Sequence, residues 1–316
     1  MRCIKGGVSM RKSRNIVRTG KKVRLGADVI SVNILAYVVV GAFAIVCLVP
    51  FYLIIVASFT PETSLIKNGY PIFPTGEFSL ESYGLCLKNP VQILWAYGTT
   101  MGVTLAGTCL AVIMSTMTGY VLSRKDFPWR NKFAFFFFFT TLFSGGLVPT
   151  YMLCIRYLHF KNNYLALILP MMFSVWNMII AKSFMAGIPD SISESAKMDG
   201  ASDFLIYVRL ILPLSKPLIA TLGLFSALAY WNDWYNSMLY ITDEEKFMLQ
   251  YYLQRMLGSA EAMRLVAEKS GMPITTVPLE SMKMAMTVIA TGPIVLLYPF
   301  VQRYFVKGMT IGAVKG

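Results

Sequence analysis

The chain has 316 residues, of which 56% are hydrophobic and 14% are charged, against about 25% charged residues in an ordinary soluble domain. These proportions exclude a water-soluble globule, and the aromatic content of 14% excludes intrinsic disorder. The five cysteines form no C-x-x-C pair and the only histidine is His159, which excludes the usual zinc and haem sites. We therefore expect an all-α integral membrane protein with no metal site.

Six segments are long and apolar enough to cross a bilayer, which requires about 20 residues per helix. In chain order they are Ile30 to Ser58, Ile93 to Leu122, Phe133 to Met152, Asn163 to Phe184, Pro217 to Ile241 and Met284 to Phe305. The first follows a basic segment and ends in Val56-Ala57-Ser58, which resembles a secretory cleavage site. Its apolar run is about twice as long as a signal core, so we expect it to be retained.

Basic residues are distributed unevenly between the two sides that six spans define. One side holds twenty lysines and arginines, in residues 1–28, 123–132 and 182–216 and in the tail, and the other side holds nine. The positive-inside rule places the richer side, with both termini, in the cytoplasm. The net charge of +13 is then mostly a topology signal. We expect the basic amino terminus to lie near anionic lipid and not to bind nucleic acid.

Two longer segments lie on the opposite side. Residues 59–92 contain four prolines, which favour an irregular connection. Residues 242–283 contain a predicted helix around Gln250 to Glu268. Its apolar residues Met256, Leu257, Met263 and Leu265 either pack on the spans or face a docking protein.

The segment between spans four and five, residues 188–216, carries the most specific pattern. Ser191 and Glu194 have capping-box spacing, so a short helix is predicted to start there, and Gly200 can end it in the left-handed conformation. A second helix can start at Ser202, and Pro213 with Pro217 bends the chain into span five. From the residues alone, an ordinary amphipathic surface loop remains the alternative.

This segment resembles the EAA loop of permease subunits of ATP-binding-cassette importers. The pattern is Glu-Ala-Ala, three residues, Gly, nine residues, Ile, one residue and Leu-Pro; Ser195 replaces one alanine and Leu210 replaces the isoleucine. The matching or typical residues are Glu194, Ala196, Asp199, Gly200, Ala201, Leu212 and Pro213. Trp231 to Trp234, Ser144 to Thr150 and the ending Tyr304 to Gly316 are also similar to the carbohydrate-uptake branch, the MalG-like and LplC/YtcP-like permeases.

The resemblance implies a type I importer permease fold in the bacterial cytoplasmic (inner) membrane. It divides the chain into a basic cytoplasmic amino terminus (1–28) and a six-helix domain (29–316) with coupling loop 188–216 and external loop 242–283. The implied partners are a second homologous permease, two cytoplasmic ATPase subunits, an extracytoplasmic solute-binding protein and the lipid bilayer. No phosphate-binding G-x-x-x-x-G-K-[ST] loop is present, so the chain is not expected to be an enzyme; ATP and magnesium would be bound by the ATPases.

The resemblance implies that the solute is a sugar or oligosaccharide. Aromatic faces and hydrogen-bonding side chains suit such a solute, and span five offers both in Trp231, Asn232, Asp233, Trp234 and Tyr235, with Asn177 in span four a weaker candidate. On one continuous helix, Trp231, Trp234 and Tyr235 would share a face. The alternative for the same residues is packing between helices. An ion-coupled transporter or channel is the alternative function, for which Asp233 is the only intramembrane acid.

Overall fold

The computed structural model describes residues 27–73, 78–270 and 278–295, and within these ranges every regular element is helical. The chain divides into two units, Met1–Phe51 and Tyr52–Gly316. Most of the basic amino-terminal segment and the similar ending at 304–316 lie outside the described residues.

Helix α1 (Ala27–Ser58) confirms the length of the first predicted span. Its side chains from residue 31 to residue 50 are exposed. The connection that follows is not irregular throughout as expected, because it contains α2 (Glu62–Asn68) and α3 (Glu81–Cys86). Pro61 directly precedes α2, where its fixed φ favours helix entry more than helix breaking.

Helix α4 (Pro90–Ser123) is the second long, unbroken apolar helix of the described residues. Its buried positions are largely small residues, among them Gly107, Ser115 and Gly119. It packs mainly against helices α8 (Val175–Met185) and α12 (Lys216–Trp231). In lipid, apolar side chains gain little by leaving their surroundings, so helices associate through close packing at small residues. A Cβ at Gly107 would lie 2.4 Å from the Tyr230 ring, which shows how closely α4 and α12 approach.

The third and fourth predicted spans are each two helices. Helices α5 (Arg130–Leu142) and α6 (Leu147–Met152) meet at 109°, and a π-helical turn, Leu153–Tyr157, continues α6. The break holds Gly146, whose φ of +87° few other residues adopt. Helix α7 (Leu165–Ile168), extended by Leu169–Met171, meets α8 (Val175–Met185) at 49°. Apolarity indicated that these segments enter the membrane but not that their helices break.

The remaining elements run from the loop of interest to the end of the described chain. They are α9 (Asp190–Met198), α10 (Asp203–Ile206), a π-helical turn (Tyr207–Ile211), α11 (Leu212–Leu214), α12 (Lys216–Trp231), α13 (Tyr235–Tyr240), a 3-10 turn (Glu244–Lys246), α14 (Leu249–Lys269) and α15 (279–295). Helix α14 confirms the predicted helix around Gln250 to Glu268. The sixth span is helical as far as residue 295, and its remaining residues lie outside the described chain.

The two interpretations of the segment 242–283 apply to different parts of it. Met256 and Leu257 pack against a buried cluster that includes Leu249, Leu253 and Met286. Met263 and Leu265, nearer the end of α14, are exposed. Packing therefore accounts for the first half of α14, and its second half presents apolar side chains outward.

Candidate functional site

The first helix of the 188–216 loop begins without the predicted capping box. Helix α9 starts at Asp190 directly after Pro189, and no side chain caps it. Ser191 therefore lies inside the first turn and cannot accept the bond that an N-cap residue accepts. Asp190 places a negative charge in that turn, where the helix dipole favours it. Glu194 lies within the helix, exposed to solvent.

The predicted turn at Gly200 is confirmed. Its φ is +82°, the left-handed region, and the amide of Ala201 donates to the carbonyl of Ala196 over 3.0 Å, which closes the end of α9. Nothing lies within 4 Å of a Cβ built at Gly200. Backbone conformation alone therefore requires glycine here.

The second helix starts at the predicted residue. The hydroxyl of Ser202 accepts from the amide of Leu205 over 3.3 Å, as an N-cap does. The segment from Asp203 to Leu214 then meets α12 at 83°, which confirms the bend expected near Pro213 and Pro217.

The residues that match the EAA pattern divide between two faces of the loop. Ala196, Ala201 and Leu212 pack against a buried cluster that includes Tyr120, Ala181 and Leu222, from α4, α8 and α12. The exposed members are Glu194, Asp199, Gly200 and Pro213. The loop is thus seated on three helices by its apolar side and presents two carboxylates outward.

Sequence reasoning missed two exposed apolar side chains beside these carboxylates. Met198 is 88% exposed and Phe204 is 66% exposed, one on each side of Gly200. The sequence contains a signal that could have identified them, because both are large apolar residues in an otherwise polar turn. With the exposed carboxylates of Glu194 and Asp199, the loop therefore exposes both apolar and acidic side chains, a composition that suits a protein partner.

Sequence reasoning also missed a cluster of charged side chains between the loop and the end of α4. Arg124, at the end of α4, pairs with Asp126 and, over 2.8 Å, with Asp203. Lys197 lies 2.9 Å from Asp126 and 3.5 Å from Asp203. Hydrogen bonds from Arg124 and Lys197 hold the pKa of Asp126 well below its usual range, and the bond to Asp126 raises the pKa of Lys197. In the sequence, Arg124 and Lys197 contributed only to the count of basic residues that indicates orientation. In the structure they join the loop to α4.

The aromatic cluster of span five does not lie on one continuous helix. Helix α12 ends at Trp231, α13 begins at Tyr235, and the residues between them leave the helical path. The expectation that Trp231, Trp234 and Tyr235 share a helical face is therefore wrong. The carboxylate of Asp233 accepts from the amide and the side chain of Asn236 over 3.1 and 2.9 Å, which stabilises the restarted helix.

Three of the span residues named as solute contacts have roles inside the protein. Trp231 is buried, and its indole N–H donates to the carbonyl of Ala290 over 3.1 Å. The buried side chain of Asn177 donates to the hydroxyl of Ser226 over 3.3 Å and so joins α8 to α12. With the turn at Asp233, these contacts favour packing for all three residues.

The other three candidates remain accessible. Trp234 and Tyr235 are exposed and meet edge to face with ring centroids 5.8 Å apart. Asn232 accepts from the side chain of Gln250 over 3.3 Å. Gln250 lines a cavity of about 310 Å³ between α14 and α15, together with Gln254, Lys283, Thr287 and Thr291. Hydrogen-bonding groups and aromatic faces thus adjoin the break in span five.

Among the residues that the structure describes, no three histidine, cysteine or acidic side chains come together as metal ligands.

Comparison with known proteins gives a consistent result. Residues 111–311 match the family model described as the binding-protein-dependent transport system inner membrane component. The polygalacturonan/rhamnogalacturonan transport system permease protein YtcP of Bacillus subtilis is 37% identical over 90% of this chain and 98% of its own length. Protein LplC of the same organism is 38% identical over 87% of this chain and 92% of its own.

A solved structure is similar as well. It is the crystal structure of a bacterial ABC transporter involved in the import of the acidic polysaccharide alginate. The matched chain superposes with a TM-score of 0.71 at 26% identity, covering 89% of this chain and 99% of that one.

Proposed function

We propose that this chain, which belongs to the family of binding-protein-dependent transport system inner membrane components, is the permease subunit through which an ATP-driven importer takes up an oligosaccharide. The partners in this proposal are a second, homologous permease, two cytoplasmic ATPase subunits that bind ATP and magnesium, and an extracytoplasmic solute-binding protein. Both termini and the 188–216 loop lie in the cytoplasm, as the twenty-to-nine distribution of basic residues favours.

The observation that carries the proposal is the geometry of the 188–216 loop. Two short helices meet at Gly200 with φ of +82° and expose Glu194, Asp199, Met198 and Phe204. The opposite side of the loop is buried against α4, α8 and α12. A partner that binds the exposed side and moves therefore moves three helices together, which is what a switch between outward-open and inward-open states requires.

The nature of the solute is inferred from the site and from the relatives. YtcP is named for the transport of polygalacturonan and rhamnogalacturonan, and the permease MalG of Thermococcus litoralis is named for the transport of trehalose and maltose. Trp234 and Tyr235 offer exposed ring faces, and Asn232 with Gln250 offers amide groups at the neighbouring cavity. An ion-coupled mechanism receives no support from Asp233, because Asn236 occupies its carboxylate.

The proposal is tested by isolating the chain with its partners and measuring solute uptake. We expect a tagged chain to co-purify with an ATPase and a second permease, and the complex in liposomes to import an oligosaccharide when ATP and the binding protein are present. A complex without an ATPase, or uptake that does not depend on ATP, would contradict the proposal.

One substitution separates the exposed carboxylate from helix stability. Glu194 makes no side-chain hydrogen bond or ion pair among the described residues, so Glu194→Gln removes a charge and little else. We expect uptake and uptake-linked ATP hydrolysis to fall together by about tenfold, within the usual range of coupling effects. Glu268→Gln, at an exposed carboxylate of α14, is the matched control and should leave both rates unchanged. Unchanged rates in Glu194→Gln would exclude a coupling role for this residue.

A further inference from the structure

A ring of opposite charges connects the end of α4 to both helices of the loop. Arg124 follows the last residue of α4, Asp126 lies in the α4–α5 connection, Lys197 in α9 and Asp203 at the start of α10. Each carboxylate is approached by both cations: Asp203 by Arg124 at 2.8 Å and by Lys197 at 3.5 Å, and Asp126 by Arg124 and by Lys197 at 2.9 Å. The four side chains therefore form a closed network and not separate pairs.

Arg124 is the centre of this network. Its side chain is only 15% exposed, and it also donates to the hydroxyl of Tyr120 over 2.7 Å, one turn earlier in α4. Its guanidinium carbon lies 5.5 Å from the centre of the Tyr120 ring. A planar guanidinium that donates to several acceptors keeps one orientation, whereas a flexible, exposed cation does not.

A second ion pair on the same loops provides a contrast. Lys125 and Asp190 lie 2.7 Å apart, but their side chains are 75% and 53% exposed. Isolated pairs of this kind contribute little, because water screens them and two long side chains lose freedom. The carboxylates of the two sets are similarly exposed, so the sets differ in the burial of Arg124 and in connectivity.

We propose that Arg124, Asp126, Lys197 and Asp203 form a joint that transmits movement of the 188–216 loop to α4. This inference rests on the proposed function. The chain itself connects the loop only to α8 and, through the 83° bend, to α12. No stretch of chain leads from the loop to the end of α4, so only side-chain contacts connect them. The buried side of the loop packs on Tyr120 of α4, and the charged network adds a link at the end of that helix. Because α4 packs against both α8 and α12, holding it keeps the three helices together as the loop moves.

The joint is tested by a double-mutant cycle on Asp126 and Lys197. Asp126→Asn and Lys197→Gln each remove one charge of the ring, from side chains that are 53% and 41% exposed. In the complete complex in liposomes, we expect each to lower the solute imported per ATP hydrolysed by about tenfold, with the amount of assembled complex unchanged. The double variant should be no worse than either single variant, since residues that act as one unit are not additive. Lys197→Arg should keep most of the coupling, and Lys125→Gln, which removes the exposed cation of the second pair and lies outside the 188–216 loop, is the matched control with wild-type coupling.

Each other result overturns the joint. Additive losses would show that Lys197 acts alone, for example by contacting the ATPase directly. Losses of uptake and hydrolysis in proportion to the assembled complex would show a purely structural role, and wild-type ratios would show no role. If the wild-type chain assembles with no ATPase, the proposed function fails and the joint fails with it. If wild type is coupled and the single variants are too, only the joint fails.

Discussion

The contact between α4 and α8 at Gly119 makes a quantitative prediction. A Cβ at Gly119 would lie 2.5 Å from the Cβ of Ala181, 2.9 Å from the amide nitrogen of Lys182 and 3.0 Å from the carbonyl carbon of Ala181. Two of these three atoms belong to the backbone of α8. The contact therefore cannot be relieved by a side-chain rotation, and Gly119→Ala must move one helix relative to the other.

The size of the effect follows from these distances. Carbon atoms in ordinary contact lie about 3.5–4.0 Å apart, so the two methyl carbons would be at least about 1 Å too close. Overpacking of this kind typically costs about 1–3 kcal/mol. Replacing glycine in a helix by alanine returns up to about 1 kcal/mol. We expect a net loss of up to about 2 kcal/mol in the stability of the assembled protein, at a site from which α8 leads directly to the 188–216 loop.

The assay is the thermal-unfolding midpoint of the purified complex at one fixed scan rate, with membrane abundance measured in parallel. Gly102→Ala is the control, because it lies in the same helix and nothing is within 4 Å of a Cβ at that position. We expect the midpoint to fall for Gly119→Ala and to stay or rise for Gly102→Ala. Equal midpoints for the two variants would refute the close-packing argument.

Further predictions concern the loop, its orientation, the span-five break and pH. Gly200→Val should abolish coupled uptake while the complex still assembles, because valine at a φ of +82° is strained; uptake and ATP hydrolysis measured together would check this. Ser202→Cys, in a background without accessible cysteines, should react in intact cells only with membrane-permeant reagents, and labelling by an impermeant reagent would reverse the orientation. Trp231→Ala should lower membrane abundance, whereas Trp234→Ala should change the sugar-concentration dependence of uptake at normal abundance; the reverse pattern would exchange their roles. Because Arg124 and Lys197 lower the pKa of Asp126, its stabilising effect is present above the ordinary carboxylate pKa of about 3.9 and is lost only at lower pH. The difference in unfolding midpoint between wild type and Asp126→Asn should therefore be constant from about pH 8 to pH 5, and a change within that interval would contradict the assignment.

The sequence predicted the positions of the long apolar segments more reliably than the form of their helices. Hydropathy depends only on composition. One continuous helix over Phe133 to Met152 and two helices separated by a break would therefore have the same hydropathy. The break at Gly146 and the one before Ser174 depend on backbone conformation and on a cap. The composition of a segment indicates neither the backbone conformation of one residue nor the presence of a cap.

In the 188–216 loop, predictions made from a few neighbouring residues were confirmed where the backbone conformation of those residues determines the structure. Gly200 and Ser202 behave as predicted, because a left-handed turn and an N-cap are local requirements. The capping box failed because Pro189 allows the helix to start earlier, at Asp190. The joint could not be predicted from spacing, since Arg124 and Asp203 are 79 residues apart and meet only after α4, α8 and α12 have packed.

The joint and the glycine contacts together assign a mechanical role to α4. With its 34 residues it is about 51 Å long at 1.5 Å per residue, and it is unbroken where the neighbouring spans bend. One end meets the loop through Arg124, and about a third of the way along the helix from the other end Thr100 accepts from the amide of Leu249, at the start of α14, over 2.8 Å. Between them, Gly107 meets Tyr230 just before the break in span five. A displacement that the joint delivers to one end of α4 therefore acts on both the aromatic break and α14, the two places where this chain exposes candidate contacts for a sugar.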